Sequence, residues 1–599
     1  MKISVKINSP IQKKGYPPAR QYAASDLSNL VKIGASLYGE KTYLRFKRNR
    51  QDTQVSYKVF DQMVDCVGSA FAELGVGESP IAVIGESSPE WVITYLAAAN
   101  GGGMIVPLDR ELAEEQIANF IRRAHVRYIV HSASFTEMFH RLADELPDVV
   151  GFAEISKEYF PYPDQTGSSQ PITERFVPFE ALVRRGTGLL NTGYHIYTSH
   201  KIDLDKPAVL LYTSGTTGTS KGVLLSQRNV TTAINTSYSM IDVYKEDTLL
   251  SVLPIHHTYE MTCGYLTPML VGATVCINEN LKTVVRNLQE YKPTFMILVP
   301  LFITTFHKKI MESVRKKGLE KKIKLAMAAS NMARHVGVDM RETLFKEIHE
   351  TFGGRLDRIV CGGAPMNPDM GKFFDAIGFK LTQGYGITEC APLISVSPFH
   401  CIKAASVGLP VPGLEVRIGG EDGTLLENPP AGTIGEIVVR GDNVMLGYQD
   451  DPEATAAVLD EEGWFRTGDI GYMDREGYIY ITGRAKNVIV LHNGKNVFPE
   501  EIEEYIEKID LVSECAVIGR TAMDGETVNV TAVIYPDFTR AEELGLDGID
   551  AISDELRKRI NKINISLPMF KQIRGVEVRK TPFVKTTSKK IIRYRIDEE

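Results

Sequence analysis

Apolar residues along this chain fall into two alternating textures. Short unbroken apolar runs at 80–85 (PIAVIG), 104–107, 128–131, 208–212 (AVLLY), 294–299 (TFMILV), 358–361 and 379–382 predict buried strands. Between some of them, residues 89–98 and 113–124 predict helices. The first of these starts on a proline, whose missing N–H costs nothing in a first turn. Strands alternating with helices imply a parallel sheet covered on both faces. Residues 161–170 (PYPDQTGSSQ) have the composition of a surface loop. Several apolar runs end directly in glycine-rich turns. Ligands of open α/β sheets bind beyond the carboxyl ends of strands, so Gly215, Gly363 and Gly386 fall on one expected rim.

After Gly413 the pattern changes to short strands and turns, among them 435–440 and 478–482. A boundary is expected near Gly483. Beyond it, a helix starting at Pro499 carries apolar Ile502, Tyr505, Ile506 and Ile509. A strand over 528–535 and a helix over 550–565 follow, enough for a small α+β domain with its own core. The 599 residues, 43% hydrophobic and 24% charged, exclude disordered, collagen-like and disulfide-scaffold proteins. At roughly 150 residues per domain, the length alone predicts about four units. The net charge of −7 gives no argument for a nucleic-acid partner, and none is expected. Seven scattered cysteines without a CxxC point to reduced thiols in a cytoplasmic setting. No run of about 18 apolar residues exists, so no membrane-spanning helix is expected. The N-terminus likewise has no apolar stretch that would make a signal peptide.

The sharpest polar feature follows the run at 208–212. It reads Tyr212, Thr213, Ser214, Gly215, Thr216, Thr217, Gly218, Thr219, Ser220, Lys221, Gly222. Glycines let backbone N–H groups close on anionic oxygens, hydroxyls add donors and Lys221 adds charge, so the pattern reads as a polyphosphate-binding loop. It is not a Walker loop, because Lys221 is followed by Gly222 and Gly218 stands three residues before it. By composition alone it is equally a flexible surface loop.

The segment resembles the phosphate loop of the adenylate-forming enzymes, which include acyl-CoA synthetases, peptide-synthetase adenylation domains and luciferases. Ser220 stands where that family usually has proline. Further motifs stand in family order. Gly362, Gly363, Ala364 and Pro365 resemble the segment lining the adenine pocket. Gln383, Gly384, Tyr385, Gly386, Ile387, Thr388 and Glu389 resemble the central motif, where the aromatic stacks on adenine, the threonine contacts phosphate and the glutamate holds Mg²⁺. A hard cation bridging phosphates needs such a carboxylate oxygen. Asp469, within 463–471 (GWFRTGDIG), resembles the ribose-binding residue. Arg484 and Lys486, in the segment GRAKN, resemble a nucleotide contact and the hinge whose torsions switch. In 584–593 (VKTTSKKIIR), Lys590 aligns with the catalytic lysine, and Lys589 stands where the family often has glycine. His257, in PIHHTYE, matches a position near the acyl site, and Gly494 falls at the CoA tunnel. Taken singly, each such Asp, Glu, Arg or His is an ordinary surface or structural residue, and a basic tail usually only solvates. Order and spacing over 208–593 carry the resemblance.

The resemblance implies an α/β protein. Its large layered N-terminal domain (1–483) has mainly parallel sheets plus a distorted β-barrel subdomain; a hinge (484–486) leads to a small mobile α+β C-terminal domain (487–599). It implies an AMP-forming acid–thiol ligase with ATP, Mg²⁺ and CoA. A carboxylate attacks the α-phosphate of ATP, and a thiol then displaces AMP. Glu389 and Thr213 would hold the metal, Lys221 the departing pyrophosphate, and Lys590 the attacking carboxylate. Residues 299–324 bear on the substrate. Phe302, Phe306, Ile310 and Val314 recur every four residues among Lys308, Lys309, Arg315, Lys316, Lys317, Lys321, Lys322 and Lys324. A basic amphipathic helix of this kind can lie on an anionic membrane; the same pattern also fits a core-facing helix with a solvated basic side, the preferred reading. The segment resembles an insertion of long-chain fatty acyl-CoA synthetases, so the expected substrate is a fatty acid and the expected location cytoplasmic, with peripheral contact at the inner membrane face. Two alternatives remain open: an acyl carrier protein as acceptor, or a catalytically silent acyl- or nucleotide-binding regulator.

Overall fold

The computed structural model describes residues 22–598 apart from 165, 214–219, 336, 421–422, 428, 493–494, 522–526 and 587–590. Pro80–Ile84 and Tyr128–Ser132 bury four and five consecutive residues, as strands covered on both faces must. They belong to an eight-stranded sheet ordered Gly447–Tyr448, Lys221–Ser226, Pro207–Thr213, Met104–Leu108, Pro80–Ile84, Tyr128–Ser132, Gly151–Ile155, Phe176–Pro178. From Pro207–Thr213 onward neighbouring strands run parallel, whereas Lys221–Ser226 turns back antiparallel. A second sheet has nine strands, ordered Leu409–Pro410, Leu393–Val396, Lys380–Gly386, Arg358–Cys361, Phe295–Leu298, Thr248–Ser251, Thr274–Ile277, Thr42–Arg48, Gln51–Ser56. Its interior pairs are parallel and both edges antiparallel. The expected α/β architecture of mainly parallel sheets is the one that forms.

Helix Pro89–Asn100 is buried on every side, which its all-round apolar sequence requires. Its first turn is held by the Ser88 hydroxyl, which accepts from the Trp91 N–H at 3.2 Å. Its one carboxylate, Glu90, is fully buried and neutralised by the Arg48 guanidinium at 2.7 Å. Helix Glu114–Arg123 puts Ile117, Ala118, Phe120 and Ile121 inward and carries acids in its first turn and arginines in its last, matching the helix dipole. Helix Pro300–Lys316 turns Ile303, Phe306, Ile310 and Val314 into the core, while Phe302 is half-buried. The apolar side of the basic segment therefore faces the protein interior.

The chain divides into two compact units, one of residues up to 415 with 440–465, the other of 416–439 with 466–599. Both large sheets lie in the first. The second holds most of a four-stranded sheet ordered Glu415–Gly419, Gly435–Arg440, Phe465–Met473, Ile479–Arg484. It also holds a three-stranded sheet in which Val528–Pro536 pairs antiparallel with Val512–Thr521 and parallel with Gly575–Val578. Helices Pro499–Ile506 and Gly548–Ser566 bury Ile502, Ile506, Leu556 and Ile560 in one core with Val517, Ala532 and Ile534. All seven cysteines are free thiols. Among the described residues no helix is long and apolar enough to cross a membrane.

Candidate functional site

In the first unit, the hairpin of Pro207–Thr213 and Lys221–Ser226 places Thr213 directly opposite Lys221, with the Thr213 hydroxyl donating to the Lys221 carbonyl at 3.4 Å. Ser214, Gly215, Thr216, Thr217 and Gly218, between these strands in sequence, lie outside the described residues, as do Gly494 and Lys590. On the other side of Lys221–Ser226 the short strand Gly447–Tyr448 pairs antiparallel. That pairing sets the Lys221 ammonium 4.3 Å from the centre of the Tyr448 ring. The Tyr448 hydroxyl donates to Glu389 Oε1 at 3.0 Å. Burial, with the Glu389 carboxylate alongside, pushes the Tyr448 phenol well above its ordinary range, so it stays protonated and keeps donating. Lys221 and Glu389 thus meet at one tyrosine that no sequence motif marks, with Thr213 opposite Lys221 in the hairpin.

Arg123 closes the far side of the hairpin. Its guanidinium donates to the Ser220 carbonyl at 3.1 Å and lies 5.2 Å over the Tyr212 ring, which stacks on Phe120 at 4.0 Å. Gln449 ties the parts together, accepting from the Tyr212 hydroxyl at 2.9 Å and donating to the Arg123 carbonyl at 2.8 Å. A cavity of about 280 Å³ opens here, lined by Arg123, Lys221, Tyr448, Gln449 and Asp451. Two cations facing such a space suit a polyphosphate. The arginine side chain also holds the backbone at Ser220, where relatives of the resembling family use proline.

A second, apolar cavity lies against the glycine-rich strand ends. Gly362, Gly363, Gly384, Tyr385 and Gly386 form part of its wall, and Ile241, Val243, Tyr259, Cys263, Phe295 and Ile297 are among the other residues lining its volume of about 70 Å³. Two of these glycines are obligatory. Gly363 has φ +81°, and a Cβ on Gly386 would fall 2.1 Å from the Pro392 carbonyl oxygen. Ala364 is half-buried and Pro365 exposed at the same turn, while Gln383 and Thr388 are half-buried at the two ends of the central motif. His257 precedes a π-helix, Tyr259–Leu266, whose Tyr259 and Cys263 reach this cavity. Such wide turns concentrate at functional sites. The His257 ring lies 4.2 Å from that of His256, whose Nε2 is 3.5 Å from Asp109.

The π-helix hides a carboxyl group that no sequence pattern singles out. Glu260 is fully buried; its Oε1 accepts from the Ser251 hydroxyl at 2.5 Å, and the same hydroxyl lies 2.8 Å from the Tyr265 oxygen. Glu260 Oε2 has no hydrogen-bond partner among the described residues. Burial pushes this carboxyl up to about 8, so it is protonated at neutral pH.

In the second unit Asp469 and Arg484 face each other across the pair Phe465–Met473 and Ile479–Arg484, with the guanidinium 2.7 Å from the carboxylate. Asp469 is buried and Arg484 exposed. Lys486 is exposed in the single turn Ala485–Asn487, whose Asn487 amide donates to Glu500 at 2.7 Å. The segment around Lys590 is anchored on both sides. Lys585 donates to Glu514 at 2.6 Å and bridges to Ile591, and Arg593 makes a two-pronged contact with Glu503 at 2.7 Å. Among the described residues no group of three His, Cys, Asp or Glu could hold a metal ion. A cation on Glu389 and Thr213 would therefore take most of its ligands from phosphate and water, as Mg²⁺ commonly does.

The AMP-binding enzyme family model matches residues 33–449, and its C-terminal domain model matches 486–599. The chain belongs to the AMP-binding enzyme family, the adenylate-forming acid ligases. It is 30% identical over 434 residues to the probable acyl-activating enzyme 16, chloroplastic, of Arabidopsis thaliana, covering 63% of this chain and 58% of that protein. To the long-chain-fatty-acid–[acyl-carrier-protein] ligase AEE15, chloroplastic, of the same plant it is 27% identical, over 86% of this chain and 77% of that one. The crystal structure of the anthranilate CoA ligase AuaEII with anthranoyl-AMP shares the fold, with TM-score 0.73 and 18% identity over 96% of this chain and 97% of that one.

Tyr448→Phe keeps the ring beneath Lys221 and removes only the hydroxyl that holds Glu389. Loss of one hydrogen bond to a charged group is expected to lower ATP–pyrophosphate exchange roughly tenfold. Exchange equal to the parent enzyme would show that Glu389 needs no such tether.

Proposed function

We propose that the chain activates a fatty acid, preferably a long-chain one, to its acyl-adenylate with ATP and Mg²⁺ and then transfers the acyl group to CoA, releasing AMP and pyrophosphate. The observation that carries this reading is the apolar cavity abutting the central motif. Among the described residues no charged side chain lines it, and Gly384–Gly386 backbone forms the wall where acyl and nucleotide would meet. At about 70 Å³ it holds several water-sized spheres as it stands, so a long acyl chain requires Tyr259 and Phe295 to turn aside.

In the first step two anions meet, and the residues must neutralise charge and hold an in-line geometry. Glu389 and Thr213 would hold Mg²⁺, which would offset phosphate charge when bound. Lys221 and Arg123 face the departing pyrophosphate, Thr388 contacts the α-phosphate, and Tyr385 stacks on adenine beside Gly363–Ala364–Pro365 and Gln383. Asp469 accepts from the ribose hydroxyls, and Arg484 stands beside it. His257 borders the acyl carboxylate. Lys590 bridges carboxylate and α-phosphate, then withdraws as torsions at Lys486 change and Gly494 meets the CoA pantetheine. One relative's name favours a second acceptor, an acyl carrier protein.

ATP–pyrophosphate exchange over carboxylic acids from acetate to stearate tests the substrate class, and CoA or a holo carrier protein added afterwards identifies the acceptor. Exchange with long-chain acids is the expected result. Exchange confined to aromatic or short acids would overturn the fatty-acid reading.

A further inference from the structure

Helices Pro300–Lys316 and Glu320–His335 follow one another across a short connection and bury one face each in a common core, Ile303, Phe306, Ile310 and Val314 from the first and Ile323 from the second. Their solvent side carries two independent features.

The first is charge. Within residues 300–324, eight lysines and arginines stand against two glutamates, a local charge of +6 in a chain whose net charge is −7. Lys317 pairs with Glu347 at 2.8 Å, and Arg315 lies 3.5 Å from Glu320. Lys309, Lys316, Lys321, Lys322 and Lys324 are all exposed, and none has an ion pair with a described residue. The second is an outward apolar stripe. Leu325 is 72% exposed and Met332 74% exposed. With exposed Ala328 and Ala329 between them, they recur at i, i+3, i+4 and i+7, on the side of the helix away from Ile323. Lys321 stands one turn before Leu325 on the same stripe.

We propose that this helical pair docks on an anionic lipid bilayer, with Leu325 and Met332 entering the interface and Lys321, Lys322 and Lys324 seated among the headgroups. Charge complementarity identifies the occupant. Lysine ammoniums are compact, strongly hydrated point charges that suit a diffuse anionic surface, and an apolar stripe edged by lysines is the pattern of a helix lying in the membrane interface. Docking itself does not depend on the acyl substrate. Its benefit, capture of an amphiphilic acid from the bilayer, rests on the fatty-acid reading.

Flotation of the full chain with phosphatidylglycerol vesicles, and separately with phosphatidylcholine vesicles, tests the inference. Binding to the anionic vesicles, weakening as salt is raised, is the expected result. Combined Lys321→Glu, Lys322→Glu and Lys324→Glu is expected to weaken it roughly a hundredfold. Combined Leu325→Ser and Met332→Ser, at exposed positions that the fold does not need, is expected to weaken it at least tenfold while leaving its salt dependence. Both variants should adenylate a water-soluble acid like the parent. Equal binding to neutral vesicles, or anionic binding untouched by both variants, overturns the proposal. A dimer of the free chain that Leu325→Ser dissociates, without vesicle binding, also overturns it and assigns the stripe to a second copy. Loss of vesicle binding with acid specificity intact, or the reverse, separates this inference from the proposed function.

Discussion

Replacing Lys590 with alanine is expected to cut acyl-adenylate formation by roughly a hundred- to a thousandfold while leaving thiolysis of supplied acyl-adenylate at the parent rate. The asymmetry follows from the chemistry. Only the first half-reaction brings two anions together, so only there does a cation between carboxylate and α-phosphate lower the barrier. Described residues before and after Lys590 are fastened by their own contacts, Lys585 to Glu514 and Arg593 to Glu503. Pyrophosphate exchange and thiolysis measured side by side read the two steps separately. Equal loss in both would remove Lys590 from this role, and the same pair of assays on Lys589→Ala decides between the adjacent lysines.

Glu260→Gln is expected to stabilise the protein, by more as the pH rises from about 5 to 8. The folded state holds this carboxyl up to about 8, above the ordinary glutamate value of 4.5. A group whose folded value is raised contributes its full stability below the unfolded value and loses it as pH climbs through the folded one. Between those limits the native state gives up about 1.4 kcal/mol for each pH unit, so the effect reaches several kcal/mol near pH 8. Glutamine does not titrate, and its carbonyl can still accept from Ser251. Thermal unfolding of both proteins at intervals from pH 5 to pH 9 gives the comparison. Parallel stability curves would mean that Glu260 is not held neutral in the fold.

Much of the architecture is legible in local pattern. The run at 358–361 forms the strand Arg358–Cys361, that at 128–131 forms Tyr128–Ser132, and the helix started by Pro499 forms Pro499–Ile506. Unbroken apolar runs can be satisfied only between two covering layers, so short segments suffice to identify them. The strand Thr42–Arg48 and the edge strand beside it, Gln51–Ser56, carry no such signal. Gln51–Ser56 is mostly exposed, and it pairs because the end of a sheet offers unsatisfied backbone groups. In the basic segment the every-fourth-residue pattern marks a helix, but its inward face is set by Ile303 rather than Phe302, a phase decided by the core beneath.

The glycine and hydroxyl content of residues 212–222, the order of the family motifs and the alternation of strands and helices are properties of neighbouring residues, and these pointed to the class of protein. Pairings between distant segments belong to the tertiary structure. The Gly447–Tyr448 strand brings Tyr448 to Glu389 and Lys221, and the end of helix Glu114–Arg123 brings Arg123 to Ser220. Glu260 lies in a polar stretch of sequence, yet the surrounding core removes it from water and keeps its proton on. A side chain's chemistry is written in its own residue. Its charge state and partners come from whatever the rest of the chain packs around it, and that is why the family could be read in one dimension while the contacts of Tyr448, Arg123 and Glu260 needed three.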